Sequence, residues 1–279
     1  MSIIEKFDPC LLATSSVAPL LFELFAPISL DDLNQKASML TRLDNKYIVR
    51  KPVLKQALPS LAKHFDILEI EQKRIFHYDT CYFDDELLSC YFNHHNGRRQ
   101  RIKVRTRKYS DAGLCFIEAK IKDIRGITVK KRIACDPDRH GAIDQGARDY
   151  IANLYRDFYQ KDFDLTLQPQ LHMSYQRITL VAKQGHERLT LDTNIRFVKN
   201  GRVSSLAEDI FIVESKSRNG NGQADALLRS LHQHPSKGCS KYCLGLCITQ
   251  GVEKINNFMP ALRKLGVLAG SHILESDRE

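Results

Sequence analysis

The segment RQRIKVRTRKY, residues 99–109, alternates basic and mainly apolar side chains with a period of two. Because successive side chains of a β-strand point to opposite faces, this alternation predicts a strand with one basic and one apolar face. The basic face carries Arg101, Lys103, Arg105 and Arg107. Like charges that lie opposite one another across strands destabilise a sheet. A chain with such a strand therefore needs a fold that covers the apolar face and tolerates the basic one.

The alternation recurs in several later segments. In FIEAKIK, Glu118 and Lys120 share one face, and in ITVKKRIA so do Lys130 and Arg132. Three further segments repeat the pattern, namely QRITLVA with Arg177, ERLTLDT with Arg188 and DIFIVESKS with Glu214. Many short strands with few helices between them predict an antiparallel α+β fold, whereas a doubly wound fold would alternate strands and helices.

The charged faces have two interpretations. In the first, an antiparallel sheet turns its apolar face to helices and its charged face to water. In the second, the sheet closes into a barrel with a charged lumen and with helices packed on its outside. The concentration of Arg and Lys favours the second interpretation, because a phosphate chain inside the lumen would relieve the repulsion. Glutamates in the same lumen would provide ligands for a divalent metal that bridges phosphate oxygens.

Length and composition indicate a globular domain with an anionic partner. The chain has 279 residues, 43% hydrophobic content and a net charge of +9. No long linker or repeat divides it, so we expect one domain, with a helical segment at 1–37, the barrel at 38–250 and a C-terminal helix and tail at 251–279. A basic chain suits nucleic acid, an acidic membrane surface or phosphate, and charge alone does not choose among them.

The N-terminal apolar stretch and the cysteines predict a cytoplasmic protein. The stretch 11–26 is interrupted by Pro19 and Glu23 and follows no basic cluster, so neither a secretory signal nor a spanning helix is expected. In the reducing cytosol, most of the eight cysteines are expected to be small buried side chains. Cys239, Cys243 and Cys247 would line one face of a helix. They lack the tight pair of most metal sites, so helix core is the favoured interpretation.

A series of motifs follows in a fixed order along most of the chain, from Thr41 to Gly245. These motifs are TRLDNKYIV, YDTCYFD, KVRTRKY, FIEAKIK, TVKKRI, PQLHMSYQR, LTLDTNIRF, FIVESKS and CSKYCLG. The ordered set resembles the VTC domain, the polyphosphate polymerase domain of the vacuolar transporter chaperone complex. That domain is part of the triphosphate tunnel metalloenzyme superfamily, so the resemblance implies an antiparallel β-barrel that holds triphosphate or polyphosphate in its lumen.

The resemblance also implies roles for individual residues and a cofactor, Mn²⁺ or Mg²⁺. The residues expected to act in catalysis are Arg105, Arg107, Lys130, Arg132 and Lys241. Those expected to bind substrate are Lys46, Arg98, Lys120, Arg177 and Arg188. Glu214 is expected to bind the metal, with Glu118 as a second acidic candidate. One departure is His172, which stands where eukaryotic members have a basic residue and puts one phosphate contact in doubt.

The expected activity is transfer of the γ-phosphate of ATP to a growing polyphosphate chain. Two alternatives stay open: hydrolysis of triphosphate or polyphosphate in the same fold, and a module that binds polyphosphate without catalysis. Nucleic acid is not an expected partner, because the basic strands lack an RNP-like aromatic pair and no helix-turn-helix pattern occurs. Gly220-Asn221-Gly222 lacks the third glycine and the lysine of nucleotide-binding loops. We expect no accessory membrane domain of the family's type in this sequence, so membrane association is expected to need a partner protein, and the sequence leaves the oligomeric state open.

Overall fold

The structure, a computed structural model, describes residues 22–36, 43–123, 127–250 and 252–267. Most of the helical segment predicted at 1–37 and the first residues of the barrel predicted at 38–250 lie outside the described residues. The first six strands are β1 (Pro27–Ile28), β2 (Leu43–Arg50), β3 (Phe65–Leu68), β4 (Phe76–Asp84), β5 (Arg101–Tyr109) and β6 (Leu114–Lys122). The others are β7 (Thr128–Cys135), β8 (Gln168–Ala182), β9 (Arg188–Lys199), β10 (Arg202–Ser205) and β11 (Ile210–Ser217).

Seven α-helices accompany these strands in the described part of the chain. They are α1 (Leu30–Lys36), α2 (Lys51–His64), α3 (Ser89–His95), α4 (Gln145–Tyr159), α5 (Gln223–Ser230), α6 (Lys241–Gln250) and α7 (Met259–Lys264). In the C-terminal part, where a helix and tail were expected at 251–279, the described residues form a short 3₁₀ turn at Asn256–Phe258 followed by α7. Among these described helices, none has the length and apolar character needed to cross a membrane.

One antiparallel sheet forms the body of the protein, apart from the parallel pairing of β1 with β3. Its strand order is β2-β11-β9-β8-β4-β5-β6-β7. No hydrogen-bonded ladder joins β2 to β7 within the described residues, and we call this gap the seam. The predicted α+β antiparallel class is confirmed, and the tunnel is a curled sheet whose two end strands are not hydrogen-bonded to each other.

The apolar faces of the strands lie on the outside of the curl, where helices cover them. Helices α2 and α5 pack on β2, β8, β9 and β11 through a core that includes Leu58 and Leu191. Helix α4 packs on β4, β5 and β6 through a core that includes Val104 and Ile151. The alternation seen in the sequence therefore separates an outer apolar face from an inner charged one, and the predicted outer position is confirmed for these three helices.

Helix α6 lies on the inner face, in contrast to α2, α4 and α5. Lys103 on β5 donates a hydrogen bond to Ser240 Oγ at 2.7 Å, and the Lys241 Nζ lies 2.5 Å from Asp192 Oδ2 on β9. In the strand order, β8 and β4 separate β9 from β5. Because two consecutive residues reach both strands, the sheet curls around the start of α6.

The outer face also fixes the backbone beneath two lumen residues. The carboxylate of Asp225, on α5, is fully buried and accepts hydrogen bonds from Tyr47 OH at 2.5 Å and Ser215 Oγ at 2.9 Å. Tyr47 adjoins Lys46 and Ser215 adjoins Glu214 in the chain, and Lys46 lies directly opposite Glu214 in the β2–β11 ladder. A buried node on the outside therefore holds this lumen pair in register.

Gly245 allows α6 to lie directly on the sheet. A Cβ atom at this position would lie 2.5 Å from Leu171 Cδ2 and 2.6 Å from Phe197 Cδ1, well inside van der Waals contact. We expect Gly245→Ala to destabilise the protein by about 1–3 kcal/mol, as overpacking does in a dense core. Urea unfolding followed by circular dichroism measures the change.

Gly146, in the first turn of α4, provides the matched control for Gly245. A Cβ atom there meets nothing closer than Asp144 Oδ1 at 3.6 Å, which is an ordinary contact. We expect Gly146→Ala to stabilise the protein by about 0.5–1 kcal/mol, because alanine is the better helix former. Equal stabilisation by both substitutions would contradict the close packing of α6 on the sheet.

Candidate functional site

Three carboxylates organise the inner face, each with its own set of cations: Glu118 and Asp192 are buried, and the side chain of Glu214 is 13% exposed. Glu118 on β6 is 2% exposed. It accepts from Arg105 NH2 at 2.6 Å and is paired with Lys130. Burial raises the pKa of Glu118, but the positive charges of Arg105, Arg107 and Lys130 outweigh that effect and lower it. Glu118 therefore stays ionised and fixes the guanidinium of Arg105.

Asp192 on β9 holds the second group. Its carboxylate is completely buried and accepts from Arg177 Nε at 2.6 Å and Arg177 NH2 at 2.8 Å, a bidentate pair. Lys241, at the start of α6, lies 2.5 Å from the same carboxylate. Burial raises the pKa of Asp192, yet Arg177 and Lys241 bring it down to about 2. One carboxylate thus joins a residue of the sheet to a residue of the inner helix.

Glu214 on β11 holds the third group, with looser contacts. Its Oε1 lies 3.4 Å from Lys46 Nζ and 3.6 Å from Lys216 Nζ. Burial raises the pKa of Glu214, but the charges of Lys46, Lys216, Lys241 and Lys120 lower it well below its usual value. Glu214 is therefore an ionised carboxylate whose amine neighbours lie at the long end of ion-pair distances.

Two other lysines of the lumen, Lys103 and Lys120, have no carboxylate within ion-pair distance among the described residues. Lys120 lies directly opposite Lys103 on β5 and directly opposite Lys130 on β7. The side chain of Lys120 is exposed to solvent in part. Desolvation of its amine by surrounding protein atoms, together with the positive charge of Lys46, lowers the pKa of Lys120 to about 8. Desolvation also lowers the pKa of Lys103. Adjacent cations of this kind repel one another, and a bound polyanion would relieve the repulsion.

Aromatic rings support the central guanidinium groups. Tyr78 and Tyr175 stack with 5.2 Å between ring centroids, and the guanidinium carbon of Arg177 lies 5.0 Å and 5.3 Å from the two centroids. The guanidinium carbon of Arg107 lies 5.4 Å from the Tyr78 centroid. The Tyr175 hydroxyl is buried and has no hydrogen-bond partner within the described parts of the chain. Burial raises its pKa to about 12, so the hydroxyl stays protonated and can donate to an anion.

Most of the site residues predicted from the sequence lie on the inner face. The structure brings together Lys46, Arg105, Arg107, Glu118, Lys120, Lys130, Arg177, Glu214 and Lys241 on this face. Arg188 lies there as well, opposite Lys216 in the β9–β11 ladder. Arg132 is exposed, lies opposite Glu118, and has its guanidinium carbon 4.4 Å from the Phe116 ring centroid. Arg98 is on an exposed loop after α3, so its predicted role has no support from these contacts.

Sequence reasoning missed residues that the structure places in the same lumen. Lys103 was not among the predicted site residues, yet it reaches Ser240 inside the lumen. Asp192 was not among the predicted site residues either, yet it is the shared partner of two cations. The alternation on β9 could have identified Asp192, because it shares a face with Arg188. The same alternation could have identified Tyr175, which lies two residues before Arg177 on β8 and shares its face.

His172 does not lie on the inner face, so the phosphate contact placed in doubt there is not a lumen contact in this chain. His172 lies opposite Cys81 in the β4–β8 ladder, with 3.6 Å between Nε2 and Sγ. Cys81 is in the outer core beneath α4. The cysteines of the C-terminal region, Cys239 and Cys243, are buried in the core around α6, as the helix-core interpretation predicts.

The described residues do not form a complete metal cage. Within the described ranges, no three side chains of His, Cys, Asp or Glu converge on one point. Mg²⁺ commonly needs only one or two carboxylates when phosphate oxygens and water complete its octahedron. The ionised Glu214 fits that arrangement, whereas Glu118 is already occupied by Arg105 and Lys130. The donor chemistry therefore fits a cation that shares Glu214 with a bound phosphate.

Comparison with known proteins places these elements in context. The family model of the VTC domain matches residues 41–250. No curated protein matches the chain significantly. Among solved structures, the chain is similar to the PH1012 protein from Pyrococcus horikoshii OT3, with 15% identity, a TM-score of 0.38, and coverage of 69% of this chain and 90% of that one. It is also similar to the PH1819 protein from the same organism, with 12% identity, a TM-score of 0.41, and coverage of 74% and 98%. A third is HpAC1 from Hippeastrum, described as having a dominant triphosphatase activity, with 11% identity, a TM-score of 0.39, and coverage of 74% and 97%.

Proposed function

The chain belongs to the VTC domain family, and on that premise we propose that it makes inorganic polyphosphate from the γ-phosphate of ATP. In this reaction a terminal oxygen of the polyphosphate attacks the γ-phosphorus, the bond to the β-phosphate oxygen breaks, and ADP leaves. The polymer grows by one phosphate for each ATP consumed. The proposal has two parts. The first is that the protein is an enzyme that acts on triphosphates, and the second is that its phosphate acceptor is polyphosphate.

The observation that carries the proposal is the excess of cations on the inner face. Arg105, Arg107 and Arg177 are held in place by Glu118, Thr80 and Asp192. Their fixed guanidinium groups can bind phosphate oxygens without reorganising at the moment of reaction, and this preorganisation is the main source of catalysis in phosphoryl transfer. Lys120 and Lys130 add compact charges, and Tyr175 adds a neutral donor.

A divalent cation, Mn²⁺ or Mg²⁺, is the proposed cofactor, and Glu214 is the residue that would hold it. When bound, such a cation neutralises charge on phosphate oxygens. The residues of the chain then have separate tasks. The arginines orient the phosphates, Lys46 and Lys216 position the Glu214 carboxylate, and Lys241 joins α6 to the phosphate-binding face.

Incubation of the purified protein with ATP and Mn²⁺ tests the proposal. We expect long polyphosphate, resolved on a polyacrylamide gel, together with ADP in equal amount to the phosphate incorporated. Free phosphate without polymer would identify a hydrolase of the same fold and overturn the polymerase assignment. Absence of both products, with polyphosphate binding retained, would identify a binding module instead.

Arg156 provides a matched control for that experiment. It is an exposed arginine on α4, paired with Asp162 at 3.0 Å on the surface. We expect Arg156→Ala to keep wild-type activity, while Arg107→Ala, which removes a guanidinium that is 5% exposed, lowers it at least about 100-fold. Equal activity of the two variants would contradict a reaction on the inner face.

A further inference from the structure

Thr190 occupies a central place on the inner face that neither the sequence motifs nor the ion pairs explain. It lies on β9 between Arg188 and Asp192 on the same face, while Leu189 and Leu191 are in the outer core. In the sheet register it is directly opposite Glu214 on β11 and directly opposite Thr179 on β8. Side chains opposite one another in an antiparallel pair have Cβ atoms about 4.5–5.5 Å apart, so the Thr190 hydroxyl is a neighbour of the Glu214 carboxylate.

The Thr190 hydroxyl is buried and unpaired. The residue is 1% exposed, and its Oγ1 has no hydrogen-bond partner among the described residues. A buried hydroxyl without a partner costs free energy, and native proteins usually satisfy such groups. The neighbouring Glu214 carboxylate is ionised, yet its contacts within ion-pair distance are the amines of Lys46 and Lys216. A positively charged group that contacts both the Thr190 hydroxyl oxygen and the Glu214 carboxylate would give the hydroxyl a partner.

The two sides of Glu214 differ in chemistry. On the β2 side its cross-strand neighbour is Lys46, an amine that repels a metal ion. On the β9 side its neighbours in the same row are Thr190 and then Thr179, both oxygen-bearing and both 1% exposed. Mg²⁺ and Mn²⁺ prefer oxygen ligands, and a threonine or serine hydroxyl is a metal ligand in P-loop enzymes. The oxygen-rich side of Glu214 is therefore the side on which a divalent cation fits.

We propose that Thr190 is a second protein ligand of the divalent cation at Glu214, so that its Oγ1 and the Glu214 carboxylate bind one ion. The inference rests on the proposed metal-dependent function and adds a specific residue to it. It places the ion between β11 and β9, one row from Asp192. It also gives the unpaired hydroxyl its partner. The remaining positions around the ion are left for phosphate oxygens and water.

Thermal unfolding with and without Mn²⁺ tests this inference. The protein is first saturated with β,γ-methylene ATP, which cannot transfer its γ-phosphate, and the gain in Tm on adding Mn²⁺ is then measured. For Thr190→Val, we expect the Mn²⁺ concentration that gives half of the gain in Tm to rise at least about 10-fold. Substitutions around metal ligands typically weaken metal affinity by about this factor or more. Without Mn²⁺ and nucleotide, its Tm is expected to equal or exceed that of the wild type, because the substitution removes an unpaired polar group.

Thr193 on the same strand is the matched control. It is also 1% exposed, but its hydroxyl already donates to the Ile210 carbonyl at 3.4 Å. For Thr193→Val, we expect the opposite pattern, with a Tm about 2–4 °C lower and an unchanged response to Mn²⁺. Thr190→Ser, which keeps the hydroxyl, is expected to respond to Mn²⁺ like the wild type, and Thr190→Ala to respond like Thr190→Val. The serine and alanine pair also decides the question if the valine variant does not fold.

The outcomes separate this inference from the proposed function. If the wild type gains no stability from Mn²⁺ in the presence of the nucleotide, the proposed metal dependence fails, and the role of Thr190 fails with it. If the wild type gains stability and Thr190→Val gains the same amount at the same Mn²⁺ concentration, only the role of Thr190 is overturned. Equal weakening in Thr190→Val and Thr193→Val would show a general effect of the strand and would also overturn it.

Discussion

Replacement of Glu214 by glutamine is expected to lower the rate of polyphosphate formation by at least about 100-fold, while the protein stays folded. The Glu214 carboxylate is ionised and is the proposed metal ligand, and glutamine keeps its shape but loses its charge. Charge stabilisation by a metal at a phosphoryl group amounts to several kcal/mol, and each 1.36 kcal/mol corresponds to tenfold in rate. Initial rates of ADP release at saturating ATP and Mn²⁺ measure the effect.

Glu86 supplies the comparison for Glu214. It is exposed in the turn between β4 and α3, and we expect Glu86→Gln to retain wild-type rates. Circular dichroism should show the same thermal transition for both variants within a few degrees, so that a lost activity is not lost folding. A Glu214→Gln variant that keeps activity within about threefold of the wild type would show that the reaction does not depend on this carboxylate.

Replacement of Asp192 by asparagine is expected to have the largest effect on stability. The carboxylate is fully buried and serves both Arg177 and Lys241, so the substitution leaves two cations that are only 12% and 10% exposed without a counter-charge. Removal of one partner from a buried ion pair typically costs about 3–5 kcal/mol. Urea unfolding at pH 7 measures the loss.

The exposed ion pair Arg50–Asp209 is the control for the buried ion pairs of Asp192. Its side chains are 46% and 43% exposed, with an NH1–Oδ1 distance of 2.8 Å. An exposed pair contributes about 0–1 kcal/mol, so Asp209→Asn should unfold close to the wild type. Similar losses of stability in the two variants would contradict the buried role of Asp192.

The dependence of stability on pH provides a further test of the role of Asp192. Its pKa is about 2 in the folded protein, against about 3.9 in an unfolded chain. A carboxyl group whose pKa is lowered by folding adds stability above its unfolded pKa and loses that contribution as pH falls through its folded pKa. The difference in stability between the wild type and Asp192→Asn should therefore be full above about pH 4 and shrink toward pH 2. A difference that is constant over this range would assign the effect to packing instead.

The faces of the strands could be predicted from the sequence because the signal is local. A period of two places Arg105 and Arg107 on one face of β5 and Val104 on the other without any knowledge of the fold. The same rule placed Lys120, Lys130, Arg177 and Glu214 correctly, because each of these residues lies in a segment with a regular alternation.

The features that could not be predicted from the sequence depend mainly on contacts between distant parts of the chain. Helix α6 is apolar around most of its surface, so its sequence indicates burial but not the face of the sheet against which it lies. Helix α3 went unpredicted because it is short, and residue Leu88 before it has a left-handed backbone with φ of 55°. The Asp225 node was also missed. A single acidic residue after Gly222 does not reveal that Tyr47 and Ser215 will reach it.

The seam between β2 and β7 bears on the solubility of the protein. End strands expose unpaired backbone groups that can pair with another molecule and start aggregation, and natural proteins prevent this with charged side chains, above all lysine. Strand β7 carries three consecutive basic residues, Lys130, Lys131 and Arg132, all exposed, and β2 carries Lys46 and Arg50. Some of these charges are the same ones proposed to bind phosphate. Neutralising these side chains would therefore remove proposed phosphate ligands and would also favour self-association through the exposed strand edges. The same residues would serve both phosphate binding and resistance to aggregation.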